Sequence, residues 1–289
     1  ALKDVGYSTK IIGKWHVGDQ EEFLPTNHGF DSYFGLPYSN DMGRQVDDPT
    51  LDDHDRKEHL RKRPPLPLIR DEEVIQEQPD LRALTERYAE EAVKFIRGNK
   101  ENPFFLYFTH MYVHLPLYAP ETLVNASENG DYGACVAGVD WVAKVLFDEL
   151  KRQGLDDNTL VIFTSDNGSR LDNQGGSNGE LRGKKGTTWE GGQRVPCIMR
   201  WPGKIPAGEV RNELVSSIDF FGTIAGLTDA ELPQDRTIDS NDISSLMFAN
   251  EPTESPRNEF FYYDGNTLEA VRDGKWKLHV RKVDEEINE

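Results

Sequence analysis

Four stretches of the 289-residue sequence carry side chains that could do chemistry. The first is Leu160-Val161-Ile162-Phe163-Thr164-Ser165-Asp166-Asn167-Gly168-Ser169, an unbroken apolar and β-branched run that stops at a polar turn. Asp166 and Asn167 offer a carboxylate and an amide oxygen, hard ligands of the kind a calcium or magnesium ion takes. Asp-Asn-Gly is equally what a simple turn favours. The second stretch is Ser8 to Gly18, a short strand ending in a loop. If Lys14-Trp15-His16 is extended, Lys14 and His16 project to one face and Trp15 to the other. Two nitrogen groups suited to an oxyanion then share a face, and the indole anchors the loop in the core. The third stretch, His110-Met111-Tyr112-Val113-His114-Leu115-Pro116, follows the apolar run Phe104 to Thr109. The fourth is the glycine-rich span Gly175 to Gly192 with Arg182, Lys184 and Lys185. Clustered cations on such a loop suit an anion, because glycine lets the backbone approach a ligand closely. A solvated basic loop is the alternative.

These groups need elements to position them. The run Leu160 to Thr164 reads as a strand buried inside a parallel sheet, and Phe104 to Thr109 as a second buried strand. In open α/β sheets ligands bind beyond the carboxyl ends of the strands, where Asp166, Asn167 and His114 fall. Leu81 to Asn99 has helical spacing, closed by Gly98-Asn99. Tyr132 to Gln153 is a long amphipathic helix closed by Gly154, leading into the strand at 160. Pro196 to Trp201 reads as another strand and Leu214 to Leu227 as another helix.

Phe23 to Gly43, rich in Gly, Pro, Asn and rings, reads as an ordered loop. Asp47 to Glu73, with Lys57, Arg61, Lys62 and Arg63 before Pro64-Pro65, reads as a charged surface excursion. From about Thr228 short strands (Phe260 to Tyr263, Leu268 to Val271, Trp276 to Val280) with turns at Asp264-Gly265 and Asp273-Gly274 suggest an antiparallel sheet. The expected class is α/β: a largely parallel doubly wound sheet flanked by helices, with a small C-terminal antiparallel subdomain. The expected division is 1–229 and 230–289.

The formal net charge is −18. That argues against a nucleic-acid surface, and an acidic protein acting on an anion needs a local cluster of cations. With 36 % hydrophobic and 10 % aromatic residues a sizeable core is expected. No segment approaches the ~18 apolar residues of a membrane span. Cys135 and Cys197 fit neither a metal spacing nor a disulfide framework and read as buried free thiols.

Taken together, Lys14, His16, His114, Asp166, Asn167 and Lys185 describe a cavity for a strongly acidic oxyanion. At this point the sequence resembles the sulfatases of the alkaline-phosphatase-like superfamily, in the arylsulfatase A and N-acetylgalactosamine-6-sulfatase branch. The matching text is Gly13-Lys14-Trp15-His16-Val17-Gly18, Gly35-Leu36-Pro37-Tyr38-Ser39-Asn40-Asp41, His114-Leu115-Pro116 and Thr164-Ser165-Asp166-Asn167-Gly168. It continues with Gly183-Lys184-Lys185-Gly186-Thr187-Thr188-Trp189-Glu190-Gly191-Gly192-Gln193-Arg194-Val195-Pro196 and Ala270-Val271-Arg272-Asp273-Gly274-Lys275-Trp276-Lys277-Leu278.

The resemblance implies that Asp166 and Asn167 are two ligands of one calcium ion, with magnesium as the substitute. It implies that Lys14, His16, Ser39, His114 and Lys185 hold the sulfate and move protons. The family's nucleophile is a hydrated formylglycine made from a cysteine, sometimes a serine, by a maturation enzyme. It attacks sulfur, releases the alcohol and then expels sulfate. His114 or Lys185 would protonate the leaving oxygen, and His16 would take the proton that lets sulfate depart.

The family's Cys-x-Pro-x-Arg motif is absent from this chain, as are the paired aspartates that complete its metal site. Both lie upstream of the Gly-Lys-Trp-His segment, so an N-terminal piece of perhaps ~100 residues is expected to be missing. The 289 residues alone are then expected to be inactive and to expose unpaired sheet edges. The expected substrate is a small sulfate ester, a sulfated glycan in particular, with no nucleic-acid partner. Expected locations are the periplasm, the extracellular space or the lysosome. Rival readings are a phosphomonoester or phosphonate ester hydrolase of the same superfamily and a non-catalytic sulfated-glycan-binding relative.

Overall fold

The computed structural model describes residues 1–45, 51–171, 175–251 and 253–281. Parts of two expected segments, Asp47 to Thr50 of the charged excursion and 282–289 of the C-terminal subdomain, lie outside the described residues. The chain forms two compact units, 2–155 and 156–289.

In the first unit the elements run β1 (Ser8–Lys14), β2 (Ser32–Leu36), α1 (Asp53–Lys62), β3 (Pro67–Arg70), β4 (Glu73–Glu77), α2 (Leu84–Gly98), β5 (Phe104–Thr109), α3 (Glu121–Ala126) and α4 (Gly130–Arg152). The sheet order is β4-β3-β2-β1-β5. β1 is parallel to both β2 and β5, while β3 and β4 continue the sheet antiparallel. Neighbouring residues of β1 fill opposite sides. Ile12 joins Phe34, Leu36, Leu66, Leu68, Leu84 and Tyr88, and Ile11 joins Leu24, Tyr33 and Ile69. A strand buried on both faces carries apolar residues side by side, as Ile11-Ile12 does.

α2 presents Leu84, Tyr88, Ala92 and Ile96 as its buried stripe, the i, i+4 spacing that puts side chains on one face. Asn99 ends it, its amide nitrogen Nδ2 donating to the Phe95 carbonyl at 2.9 Å. α4 is fastened to α2 by a two-pronged ion pair, Arg97 to Glu149 at 2.7 and 3.0 Å. Arg97 beside it holds the Glu149 carboxyl down at about 2.

Two expectations fail here. The loop expected from Phe23 to Gly43 contains β2, a strand at the heart of the sheet. Its Gly35 masks the strand signal, yet Gly35 is needed because a Cβ there would overlap the Gly13 carbonyl. The surface excursion expected from Asp47 to Glu73 contains α1, capped by the Asp52 carboxylate on the Asp55 amide at 2.8 Å. It also contains β3, whose Leu68 is fully buried.

In the second unit the elements are β6 (Val161–Thr164), α5 (Glu190–Gln193), β7 (Cys197–Arg200), α6 (Asp219–Thr228), α7 (Ser244–Phe248), β8 (Glu259–Asp264), β9 (Thr267–Asp273) and β10 (Trp276–His279). The antiparallel sheet read from the C-terminal sequence is present, in the order β10-β9-β8. Its two hairpins have Gly265 and Gly274 at φ +53 in the first loop position, where glycine carries no steric cost.

β6 is a strand as expected, but not one buried in a parallel sheet. It pairs antiparallel with β7, and Phe163 and Ile198 are exposed. An apolar run signals capacity for burial; it does not name the partner strand. Cys197, on the same pair, is likewise exposed and not buried, whereas Cys135 is buried. α6 starts at Asp219 and not at Leu214. The Asp219 carboxylate accepts from the Ser216 and Asn241 amides (2.8 and 2.9 Å) and from Arg257 (2.8 and 2.5 Å), holding residues 214–218 outside the helix. No helix among the described residues is long and apolar enough to cross a membrane.

Candidate functional site

In residues 2–155 the candidate side chains gather at one edge of the sheet. β2, β1 and β5 are adjacent and parallel, so their carboxyl ends lie together. These ends carry Ser39, Lys14 with His16, and His114 respectively. Past Lys14 the ladder continues, Trp15 N donating to Leu36 O and His16 N to Pro37 O, both at 2.9 Å. The approach is tight: Gly13, at φ +118, is level with both Gly35 and Thr109. A Cβ on Gly13 would strike the Thr109 carbonyl.

Trp15 does anchor this loop. Its ring packs with Ile11, Leu24, Tyr33 and Ile69, and its Nε1 donates to Phe23 O at 2.7 Å. The expectation that Lys14 and His16 alternate as in a strand does not hold, because His16 is left-handed at φ +63. That dihedral breaks the extended geometry from which a shared face follows. Lys14 is half-buried and His16 is exposed.

The sharpest contact joins Ser39 and His114, the hydroxyl lying 3.2 Å from Nδ1 of the ring. Nδ1 is also 2.7 Å from the Leu115 carbonyl. A carbonyl only accepts, so Nδ1 carries the hydrogen, and Nε2 is left as the nitrogen that can exchange a proton. Asp41 stands at 4.0 Å from the same Nδ1. Sequence reasoning gave Asp41 no role, although it closes the matching text Gly35 to Asp41, two residues after Ser39.

His110, four residues earlier, has a different fate. Its ring is buried against Tyr112, with centroids 4.6 Å apart, and Nδ1 accepts from the Tyr112 amide at 3.0 Å. Burial pulls its pKa down to about 4. A neutral, buried ring of this kind belongs to the core.

In residues 156–289 Asp166 and Asn167 follow β6, and Lys185 lies on the glycine-rich span. Backbone bonds tie the two loops together: Gly168 N to Gly192 O at 3.1 Å and Lys185 N to Ser169 O at 3.0 Å. Glycines permit this. A Cβ on Gly168 would overlap the Gly191 carbonyl, and one on Gly192 the Thr187 carbonyl. Asn178, which nothing in the sequence marked out, braces the same loops. Its Oδ1 accepts from Ser169 N at 2.8 Å, and its Nδ2 donates to Ser169 O and Gly183 O at 3.1 and 3.0 Å.

The C-terminal sheet supports this span from β9 and β10. Lys277 Nζ donates to Thr188 O at 2.6 Å and to Glu190 at 2.9 Å, and Thr188 donates to Glu269 at 2.8 Å. Burial pushes the Lys277 pKa down, and the Glu190 carboxylate works against that.

Asp166 is exposed and Asn167 half-buried, and both present hard oxygen donors of the type calcium prefers. Calcium takes about six to eight oxygens, and these two side chains supply no more than about three of them. Among the described residues no group of three or more His, Cys, Asp or Glu side chains could hold a metal. The donor type fits; further ligands would have to come from elsewhere.

Comparison with known proteins agrees with this chemistry. The sulfatase family profile matches residues 1–230, and the C-terminal profile of N-sulphoglucosamine sulphohydrolase matches residues 184–281. The chain is 39 % identical to N-acetylgalactosamine-6-sulfatase of Canis lupus familiaris, over 96 % of this chain and 53 % of that protein. It is 33 % identical to an arylsulfatase of Hemicentrotus pulcherrimus, over 97 % of this chain and 51 % of that one. The crystal structure of PsFucS1 sulfatase from Pseudoalteromonas sp. matches with a TM-score of 0.87 at 32 % identity, covering 96 % of this chain and 59 % of that one. The chain thus spans about half the length of the curated relatives it matches. With the family profile covering residues 1–230, the chain belongs to the sulfatase family.

Proposed function

We propose that the protein carrying this chain hydrolyses sulfate monoesters, with sulfated sugars as its substrate class. The observation that carries the reading is 39 % identity to an N-acetylgalactosamine-6-sulfatase across 96 % of the chain. The Ser39–His114 contact at the carboxyl edge of the parallel strands supports it.

Lys14 and Lys185 hold the sulfuryl oxygens, where charge stabilisation is usually the largest single catalytic contribution. Ser39 and the Leu115 carbonyl fix the His114 ring through Nδ1, which leaves Nε2 to bind the substrate and to exchange a proton. Either that Nε2 or the Lys185 ammonium protonates the departing alcohol oxygen, and His16 accepts the proton whose removal lets sulfate leave. Asp166 and Asn167 serve as two of the oxygen ligands of a calcium ion, with magnesium as substitute. When bound, that ion would polarise the sulfuryl group. The nucleophile, a formylglycine made by a maturation enzyme, is proposed to lie outside these residues. Export or lysosomal delivery belongs to the same reading, and Asn125 of the Asn125-Ala126-Ser127 sequon is exposed for glycosylation in a eukaryotic secretory setting.

The test is an assay of the matured full-length protein on 4-nitrophenyl sulfate, 4-nitrophenyl phosphate and 6-sulfated N-acetylgalactosamine. Sulfate release is expected, and none from the 289 residues alone. Preferential release of phosphate would overturn the reading in favour of a phosphoester hydrolase.

A further inference from the structure

The charged segment around α1 pairs some of its charges internally. Arg61 and Lys62 both pair with Glu58, and the Asp52 carboxylate is occupied by the Asp55 amide. Two guanidinium groups nearby are held by neutral acceptors instead. Arg44 donates through Nε to the main-chain oxygen of Arg63 at 2.8 Å. Arg63 donates through Nη1 to the main-chain oxygen of Asp41. Both acceptors are neutral carbonyls, and among the described residues neither arginine takes part in an ion pair. Their guanidinium groups are fixed in place by neutral acceptors.

Asp41 connects the pair to the site. Its main-chain oxygen receives Arg63, its carboxylate lies 4.0 Å from His114 Nδ1, and it follows Ser39 by two residues. Arg63 is exposed and Arg44 half-buried. A guanidinium has five N–H donors in a rigid fork. One bond to a carbonyl therefore leaves donors that can grip a sulfate or carboxylate with two parallel bonds. On a chain of net charge −18 an incoming polyanion meets a repulsive field. Two cations held by neutral carbonyls near Asp41 and His114 lower that barrier locally.

The geometry points to Arg44 and Arg63 as a second anion subsite, which takes a further sulfate or carboxylate group of the same molecule. The substrate class is then a glycan bearing at least two anionic groups, one cleaved at Ser39 and His114 and the other held by the arginines. The assignment rests on the sulfatase reading above.

The experiment uses the full-length protein with Arg44→Gln, Arg63→Gln and both together. It compares kcat/KM for a disulfated oligosaccharide with that for 4-nitrophenyl sulfate, which carries a single charge. The ratio of the two should fall about tenfold for each arginine removed, through KM, the usual worth of a charged hydrogen bond. Arg63→Lys, which keeps the charge but not the fork, should recover part of the ratio. A fall on both substrates that leaves the ratio unchanged would make the arginines mere braces for Asp41 and overturn the subsite. So would no change on either. If the parent protein turned over neither substrate, the sulfatase reading would fail by itself. Calorimetric titration with the same oligosaccharide would then decide: much weaker binding by the double variant supports the subsite, and equal binding overturns it.

Discussion

Residues 2–155 and residues 156–289 both present ionisable groups after a strand, but they are held together differently. Among the described residues, the largest fully buried side chains are nearly all in the first unit: Tyr33, Tyr88, Phe34, Ile11, Ile12 and several leucines, with Ile243 the exception from the second. The second unit has a smaller apolar cluster around Ile243, Leu246 and Met247 and adds polar and backbone links to it. Asp219, with no exposure at all, collects Arg257 and two amides. The Asp166 and Lys185 loops are joined main chain to main chain through glycines. An apolar core of strands makes a stiff edge for His114 and Ser39. Loops that pack by backbone keep Asp166 and Lys185 in place only while their glycines and polar partners stay intact. The same kind of site residue thus depends on different physics in each unit.

The contrast can be broken by experiment, and the largest effect should come from the polar knot. Asp219→Asn would leave the largely buried Arg257 guanidinium, 11 % exposed, without its carboxylate, which costs about 3–5 kcal/mol. Chemical denaturation checks this, and a cost typical of a surface residue would remove the case for a polar anchor.

Next comes acid sensitivity in the apolar unit. Burial depresses the His110 pKa to about 4, so the unfolded chain binds the proton more readily than the folded one between that value and about 6.5. The stability this ring contributes is complete above about pH 6.5 and is lost as pH falls toward about 4, by roughly 3 kcal/mol. His110→Phe should flatten that part of the stability profile. An unchanged slope would mean that the ring is not neutral in the fold.

The smallest effects concern one glycine from each unit. Gly168→Ala, which forces a Cβ against the Gly191 carbonyl, should destabilise by about 1–3 kcal/mol. Gly98→Ala, with open space around it at the end of α2, should stabilise by about 0.5–1 kcal/mol. Paired melting curves read both. Equal shifts would show that the backbone packing of the second unit carries no special weight.

Legibility in the sequence did not follow that divide. α2 and α4 were readable because their apolar residues recur at helical spacing over several turns. The C-terminal hairpins were readable because Asp-Gly pairs mark where strands reverse. β2 was not, because Gly35 and the surrounding Gly, Pro and Asn look like a loop until Gly13 is seen pressed against it. β3 was hidden by its charged neighbourhood, although Leu66 and Leu68 are fully buried. Within the candidate site, Lys14, His16, His114, Asp166, Asn167 and Lys185 were marked by residue type and by their place after strands or on a glycine-rich loop, while Ser39 came only from the resemblance to the sulfatases. Their local geometry came from neither composition nor motif: the left-handed His16, the Leu115 carbonyl on His114, and the brace at Asn178.

The sequence by itself determined which chemistry is available: amines, imidazoles, a carboxylate and an amide placed after apolar runs, on a family pattern that spans the chain. It did so because strand ends and glycine turns are written in local residue order. Only the tertiary structure decided which nitrogen of His114 is pinned, which strand pairs with β6, and which arginines are held by neutral carbonyls. Those outcomes depend on contacts between residues far apart in the chain, and hydrogen-bond direction and charge balance have no local signature.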